Sequence, residues 1–283
     1  MVRGSPPSTA MIAALSPNTP VRVMLAAWAA GVTASKPQSQ RTLECRPMKP
    51  VAIFRHARSE GPAYFATTLD RKSIAFDLIR LDEGAKIPRD ARAFSGLAFM
   101  GGPMSVNDDL PWIAPALELI RNAVRQEVPV LGHCLGGQLM SKALGGEVTR
   151  AKVKEIGWGE VQVQDNAVAR AWFGDLERFE SFHWHGEAFS IPPGGTRVLG
   201  SAHCANQAFA LGKHIGMQCH VEMTEDVIRV WLRCGADEIR KSAGSPGVQS
   251  PAEIERRMAQ RVEALHKTAD RIYDRWTEGL ARN

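Results

Sequence analysis

Residues 130–138, VLGHCLGGQ, place one cysteine between glycines, just after an apolar β-branched run (VPVLG, 128–132) and just before a helical one (LGGQLMSKALGG, 135–146). A strand ending and a helix starting around one residue is the turn from which α/β folds present a reactive side chain. The glycines of the Gly-x-Cys-x-Gly pattern, Gly132 and Gly136, permit the tight turn and a close helix–strand approach. At such a junction Cys134 would gain the partial positive charge of a helix N-terminus beside its sulfur. It would also gain the backbone N–H of Leu135, aimed where an oxyanion would form. Taken alone, the stretch leaves two readings open, a nucleophile on an elbow or a small residue packed in a glycine-rich loop.

Outward from this stretch, short apolar runs alternate with amphipathic ones. VAIF (51–54) reads as a buried strand, Pro62–Lys72 as a helix, FDLIRL (76–81) as a strand and GLAFM (96–100) as another buried strand. In 112–126 the apolar residues Ile113, Leu117, Ile120 and Val124 recur three or four apart, which predicts a helix. Gly145 and Gly146 stop the helix after Cys134. Alternating strands and helices imply an α/β fold with a mixed, largely parallel central sheet and helices on both faces. In such folds the loops at the carboxyl ends of the strands carry the chemistry. The second half is richer in strands: 159–164, 196–202, 206–212 and 214–220, with 196–202 and 206–212 read as an antiparallel pair. Thr224 is placed to cap a helix running to about Cys234, with Glu225 and Asp226 suited to its first turn. After the hinge SAGSPGVQSP, one long amphipathic helix is expected over about 252–279, with Ile254, Met258, Val262, Leu265 and Ile272 on its buried face.

Composition excludes several classes. The 44% apolar and 23% charged residues are those of an ordinary globular core. The net charge of +5 is concentrated outside that core, because residues 1–47 hold five basic residues against Glu44 alone. The remainder is close to neutral, with no basic stripe, so nucleic acid is not an expected partner. No apolar run reaches the roughly 18–20 residues of a membrane span. Five cysteines (Cys45, Cys134, Cys204, Cys219, Cys234), odd in number and without a Cys-x-x-Cys pair, fit a reducing, cytoplasmic setting. Residues 1–47, rich in Pro, Ser, Thr and Ala, read as a disordered leader or over-long start with Met48 as the working initiator. A targeting peptide built on VMLAAWAAGVTA is the lesser reading. The expected organisation is therefore a leader over 1–47, a catalytic domain over 48–236, and over 237–283 a hinge with a C-terminal helix packing on that domain.

Two further stretches bear on the cysteine. MGGPMS (100–105) ends a buried strand in a glycine pair with a proline, a natural source of backbone N–H groups for the second half of an oxyanion hole. In GMQCHVE (216–222), His220 and Glu222 lie two apart at a strand end and so project from one face. A carboxylate beside an imidazole fixes its tautomer and stabilises the imidazolium, as a cysteine–histidine–acid triad requires.

Gly-Gly-Pro, then Gly-x-Cys-x-Gly-x-Gln, then Gln-x-His-x-Glu, in this order, resembles the signature of class I glutamine amidotransferases. These are the glutaminase domains of GMP synthetase, anthranilate synthase and carbamoyl-phosphate synthetase. The resemblance covers about residues 50–236. GGPMSVNDDLPW, FHWHGEAFSIPPG and NQAF look closer still to the stand-alone, GMP-synthetase-like members, some relatives of which are γ-glutamyl peptide hydrolases. The resemblance implies a flavodoxin-like fold and assigns Cys134 as nucleophile, His220 as general base and then acid, and Glu222 as its orienter. It makes Gly102 and Leu135 the oxyanion-hole donors and gives Gln138 a part in holding substrate glutamine. Trp184, His185, Gly186 and Glu187 match a loop that grips the substrate's α-amino and α-carboxylate groups, largely through backbone atoms. Val221 departs from the usual proline and Cys219 from the usual phenylalanine, and neither supplies a reacting group.

The expected activity is thiol-dependent hydrolysis of the γ-amide of glutamine through a γ-glutamyl thioester, with no metal or organic cofactor. The chain has no Gly-x-x-x-x-Gly-Lys-Ser/Thr loop for activating an acceptor. Ammonia would therefore pass to a separate synthetase subunit, or the protein would act alone as a γ-glutamyl peptide or amide hydrolase. A quiet scaffold of the same fold is the third reading. His183 and His185 could form a metal pair, but the sequence offers no third ligand. His133, next to the cysteine, is sent to the opposite side by strand alternation and is read as structural.

Overall fold

The computed structural model describes residues 48–281, and the readings made for residues 1–47, Cys45 included, lie outside the described residues. The chain runs β1 (Val51–Arg55), α1 (Ala63–Arg71), β2 (Phe76–Arg80), β3 (Gly96–Phe99), α2 (Ile113–Arg125), β4 (Val130–His133) and α3 (Leu135–Ala143). It continues through β5 (Val148–Val163), α4 (Ala167–Phe173), β6 (Arg178–Phe189), β7 (Thr196–Ser201), β8 (Ala208–Leu211) and β9 (His214–Met217). It ends with α5 (Glu225–Cys234), α6 (Ala236–Ser242), β10 (Gly247–Val248), α7 (Pro251–Glu255) and α8 (Met258–Glu278).

The ten strands of the described residues form one sheet in the order β10-β5-β7-β8-β9-β4-β3-β1-β2, with β6 pairing β5 off this path. From β2 through β1, β3 and β4 to β9 every pairing is parallel. From β9 through β8 and β7 to β5, and on to β6, every pairing is antiparallel. The mixed sheet is thus the expected one, and β7 and β8 are the expected antiparallel pair.

The parallel strands read as unbroken apolar runs because both of their faces are covered. Along β1, Val51 and Ile53 join the core beneath α1 and α8, while Ala52 and Phe54 join the opposite core beneath α2 and α3. Phe54 stacks on Phe99 of β3 at 4.3 Å. Thr224 caps α5, its side chain accepting the Val227 N–H.

The C-terminal segment differs from its expectation. The stretch read as a hinge is preceded by α6 and contains β10, which pairs in parallel with β5. The single helix read over 252–279 is two. Ser250 and Glu253 form a capping box that starts α7. Arg257, at φ 58°, then breaks the chain before α8. Helical period does not register this break, because Ile254 and Met258 remain four residues apart on either side of it. On α8 the residues Val262, Leu265, Ala269, Ile272, Tyr273 and Trp276 all enter the core. Among the described residues no helix is long and apolar enough to cross a membrane.

Candidate functional site

Cys134 stands between β4 and α3 at φ 49° and ψ −106°, a conformation costly for a side-chain-bearing residue. The turn is held from both sides: the Cys134 N–H donates to Met217 O at 2.8 Å, and the Gln138 N–H donates to Cys134 O at 3.0 Å. The Leu135 N–H, first in α3, lies outside the helical hydrogen-bond ladder and is free to serve a ligand. Gly102 is its neighbour, since a Cβ added there would come 2.7 Å from Leu135 Cδ2 and 2.6 Å from Met104 Sδ. A larger residue there would push the Met104 and Leu135 side chains aside. His56, buried at the end of β1, donates from Nδ1 to Gly101 O at 3.2 Å and braces the same turn.

His220 and Glu222 lie beyond the end of β9, in a segment that touches β6 through one bridge between Phe182 and His220. The His220 Nδ1–H donates to Glu222 Oε1 at 2.6 Å, and both side chains are buried. Burial alone would lower the imidazole pKa, but the Glu222 carboxylate and the Cys134 sulfur outweigh it and hold His220 well above its ordinary value. Its Nε2 is buried and makes no aligned hydrogen bond. Trp231 of α5 packs edge-on against the ring at 4.9 Å and limits its rotation. Burial would raise the Glu222 carboxyl, yet the imidazoles of His133 and His220 beside it bring it down to about 2. The Val221 and Cys219 departures are both buried, and the His220–Glu222 pair forms with them in place.

These residues open on a cavity of about 870 Å³ whose walls include Gly102, Cys134, Gln138, Trp184, Glu187 and His220. Gln138 is buried and donates from Nε2 to Gln218 Oε1 at 3.2 Å. Residues 184–187 differ from expectation in being part of strand β6 rather than a loop. The Trp184 indole donates to Glu238 Oε2 at 2.8 Å, and Trp184 O lies 3.9 Å from Cys134 Sγ. Gly186 and Glu187 line the cavity, the Glu187 carboxylate accepting from the Ser105 hydroxyl at 2.8 Å. The His185 ring is buried, donating from Nδ1 to Glu187 O at 3.1 Å.

Four groups at the site were not expected from the sequence. Gln218 donates to Cys134 Sγ at 3.5 Å, and its only sequence signal was its place in the Gln-x-His-x-Glu stretch. Glu60, on the loop after β1, lines the cavity, and burial pushes its carboxyl up to about 7. Glu60 and the His220 ring both lie over Gly101, where an added Cβ would be 2.5 Å from Glu60 Oε2 and 3.2 Å from His220 Cε1. His133 is not turned away from the site: its Nε2 is 3.6 Å from Glu222 Oε2 and 3.0 Å from the Tyr273 hydroxyl of α8. Strand alternation holds, since His133 shares with Leu131 the face that packs on Phe65 and Tyr273, and Glu222, beyond the end of β9, reaches that same face. Burial lowers the His133 pKa against the opposing pull of the Glu222 carboxylate, while burial holds the Tyr273 phenol well above its ordinary value.

Likeness to known proteins agrees with this geometry. Residues 66–229 match the family Glutamine amidotransferase class-I. The structure resembles a crystal structure of a glutamine amido transferase from Methylobacillus flagellatus, with a TM-score of 0.82 and 46% identity, covering 84% of this chain and 97% of that one. A glutamine-hydrolyzing GMP synthase subunit of Sulfolobus acidocaldarius is 31% identical over 57% of this chain and 86% of its own length. Gamma-glutamyl peptidase 3 of Arabidopsis thaliana is 27% identical over 58% of this chain and 69% of its own length. The family match spans more than half of the chain, within a sheet whose β4–α3 elbow presents Cys134 to His220, and the chain belongs to the class I glutamine amidotransferase family.

Proposed function

We propose that this protein hydrolyses the γ-amide bond of glutamine or a γ-glutamyl compound, with Cys134 as nucleophile, His220 as base and acid, and Glu222 as the group that orients His220. The observation that carries the reading is the 2.6 Å His220–Glu222 pair, buried and raising the imidazole, beside a cysteine on a strained elbow. Cys134 passes its thiol proton to His220 as its sulfur attacks the γ-carbonyl carbon, and the oxyanion settles on the N–H groups of Leu135 and Gly102. Collapse of the tetrahedral adduct breaks the C–N bond, and His220 delivers a proton to the departing amine. His220 then takes a proton from water, which attacks the thioester and releases glutamate and the free thiol.

Two fates of the amine remain distinct. Similarity to a GMP synthase subunit supports ammonia passing to a separate synthetase. A specific observation favours the second, a hydrolase acting alone: 870 Å³ is the scale of a drug-sized ligand rather than of one amino acid. The outer wall also presents Arg150, Lys152 and Lys241, cations suited to carboxylates of a longer γ-glutamyl substrate. The test supplies the isolated protein with glutamine and with γ-glutamyl dipeptides and tripeptides, measuring glutamate, ammonia and free peptide. A hydrolase gives kcat/KM at least about tenfold higher on a peptide than on glutamine. Equal, slow glutamine turnover that rises only with a synthetase would select the first fate, and no glutamate from any substrate would remove both.

His133 and Tyr273 act on this chemistry by positioning Glu222. Tyr273→Phe removes the hydroxyl without leaving a cavity and should lower kcat about five- to tenfold, the weight of one net hydrogen bond. KM should hold. A purely structural tyrosine would lower Tm and leave kcat unchanged.

A further inference from the structure

We propose that Glu155, His185 and Cys204 form a binding site for one divalent transition-metal ion of the zinc class, behind the cavity wall. The three come from separate elements, β5, β6 and the β7–β8 loop, and all three are buried. Their ligand atoms lie within 4.8 Å of one another. His N, carboxylate O and thiolate S are the three donor types zinc takes, and around a tetrahedral ion such atoms sit ~3.3–3.7 Å apart.

The orientation of His185 points to a ligand independently of this spacing. Its Nε2 lies 3.1 Å from Glu155 Oε2, close enough for a hydrogen bond, yet is not aligned to donate and has no other partner. The other ring nitrogen already donates to Glu187 O, and Gln207 Nε2 donates to Glu155 Oε2 at 3.0 Å. Metal-ligating histidines and carboxylates are held in this way from behind.

Charge also closes. An M²⁺ ion binding here displaces the Cys204 S–H proton to solvent and is neutralised by one thiolate and the Glu155 carboxylate. A bound ion would tie the Cys204 loop to β5 and β6. Through Glu187 O, which also lies 3.4 Å from Gln138 Nε2, it would fix the strand that walls the substrate cavity.

Cobalt(II) is the probe, added to the full chain carrying Cys134→Ala so that the predicted nucleophile cannot bind it. One equivalent should bind with a near-ultraviolet thiolate-to-cobalt charge-transfer band. Cys204→Ser on that background should abolish the band, Cys219→Ser should retain it, and Glu155→Gln should weaken binding at least about tenfold. Absence of the band in the parent, or its survival in Cys204→Ser, overturns the site. If Cys204→Ser does not fold, by circular dichroism, parental cobalt affinity in Glu155→Gln overturns it instead.

Discussion

Cys134→Ala should reduce glutamate release from any γ-glutamyl substrate by about four to six orders of magnitude, as removing the nucleophile of a triad does. The sulfur forms the covalent bond in the proposed reaction, and no neighbouring group can replace it. Gln218 and Gln138 are amides, and His220 is engaged with Glu222. Alanine leaves the elbow's hydrogen bonds to Met217 and from Gln138 intact, because both use the backbone. The variant should therefore fold with parental Tm and still bind substrate. Steady-state kinetics, with circular dichroism as the check on folding, test this. A Cys134→Ala protein that turns over within tenfold of the parent would remove Cys134 from the mechanism.

Gly136→Val should be the most damaging single change to stability near the site. The first turn of α3 lies directly on the sheet, and a Cβ at position 136 would fall well inside contact distance of the Phe99 carbonyl oxygen on β3. Backbone cannot swing aside as a flexible side chain can, so α3 must lift and carry Cys134 and the Leu135 N–H with it. Overpacking of this kind costs about 3 kcal/mol or more. For a chain of this size that lowers Tm by about 6–12 °C. Activity should fall as well, through displacement of the elbow. Gly61→Ala is the control, since no atom lies within 4 Å of a Cβ built there. Thermal unfolding of both variants decides the matter, and a Gly136→Val Tm equal to that of Gly61→Ala would count against direct helix–sheet contact.

Elements buried on two faces were legible in the sequence, and half-exposed ones were not. β1, β3 and β4 announce themselves as apolar runs because water is excluded from both sides. β6, the first part of β5, α4 and β10 carry no such pattern. The β5–β6 ribbon is built from segments such as VTRAKVKEIGW and RFESFHWHGEAF, in which buried Glu155, Ser181, His183 and His185 are interleaved with buried Ile156, Trp158 and Phe182. A register irregularity between Arg150 and Glu155 breaks its alternation further. A strand whose buried residues mix polar with apolar looks like a loop until its partners are known.

The same division runs through the site. Cys134, Leu135, His220, Glu222 and Gly102 could be proposed from the sequence because each belongs to a short stretch whose local geometry is self-contained: an elbow, an i,i+2 pair, a glycine–proline turn. The sequence by itself determined the α/β class, the elbow and the family. Only the tertiary structure brought Tyr273 to His133 across 140 positions and His133 to Glu222, Glu60 and His220 together over Gly101, and Glu155 and Cys204 to His185. Those contacts depend on strand order and helix packing rather than on spacing. A buried polar group takes whichever partner the sheet order brings within reach, and neighbours along the chain do not reveal that order.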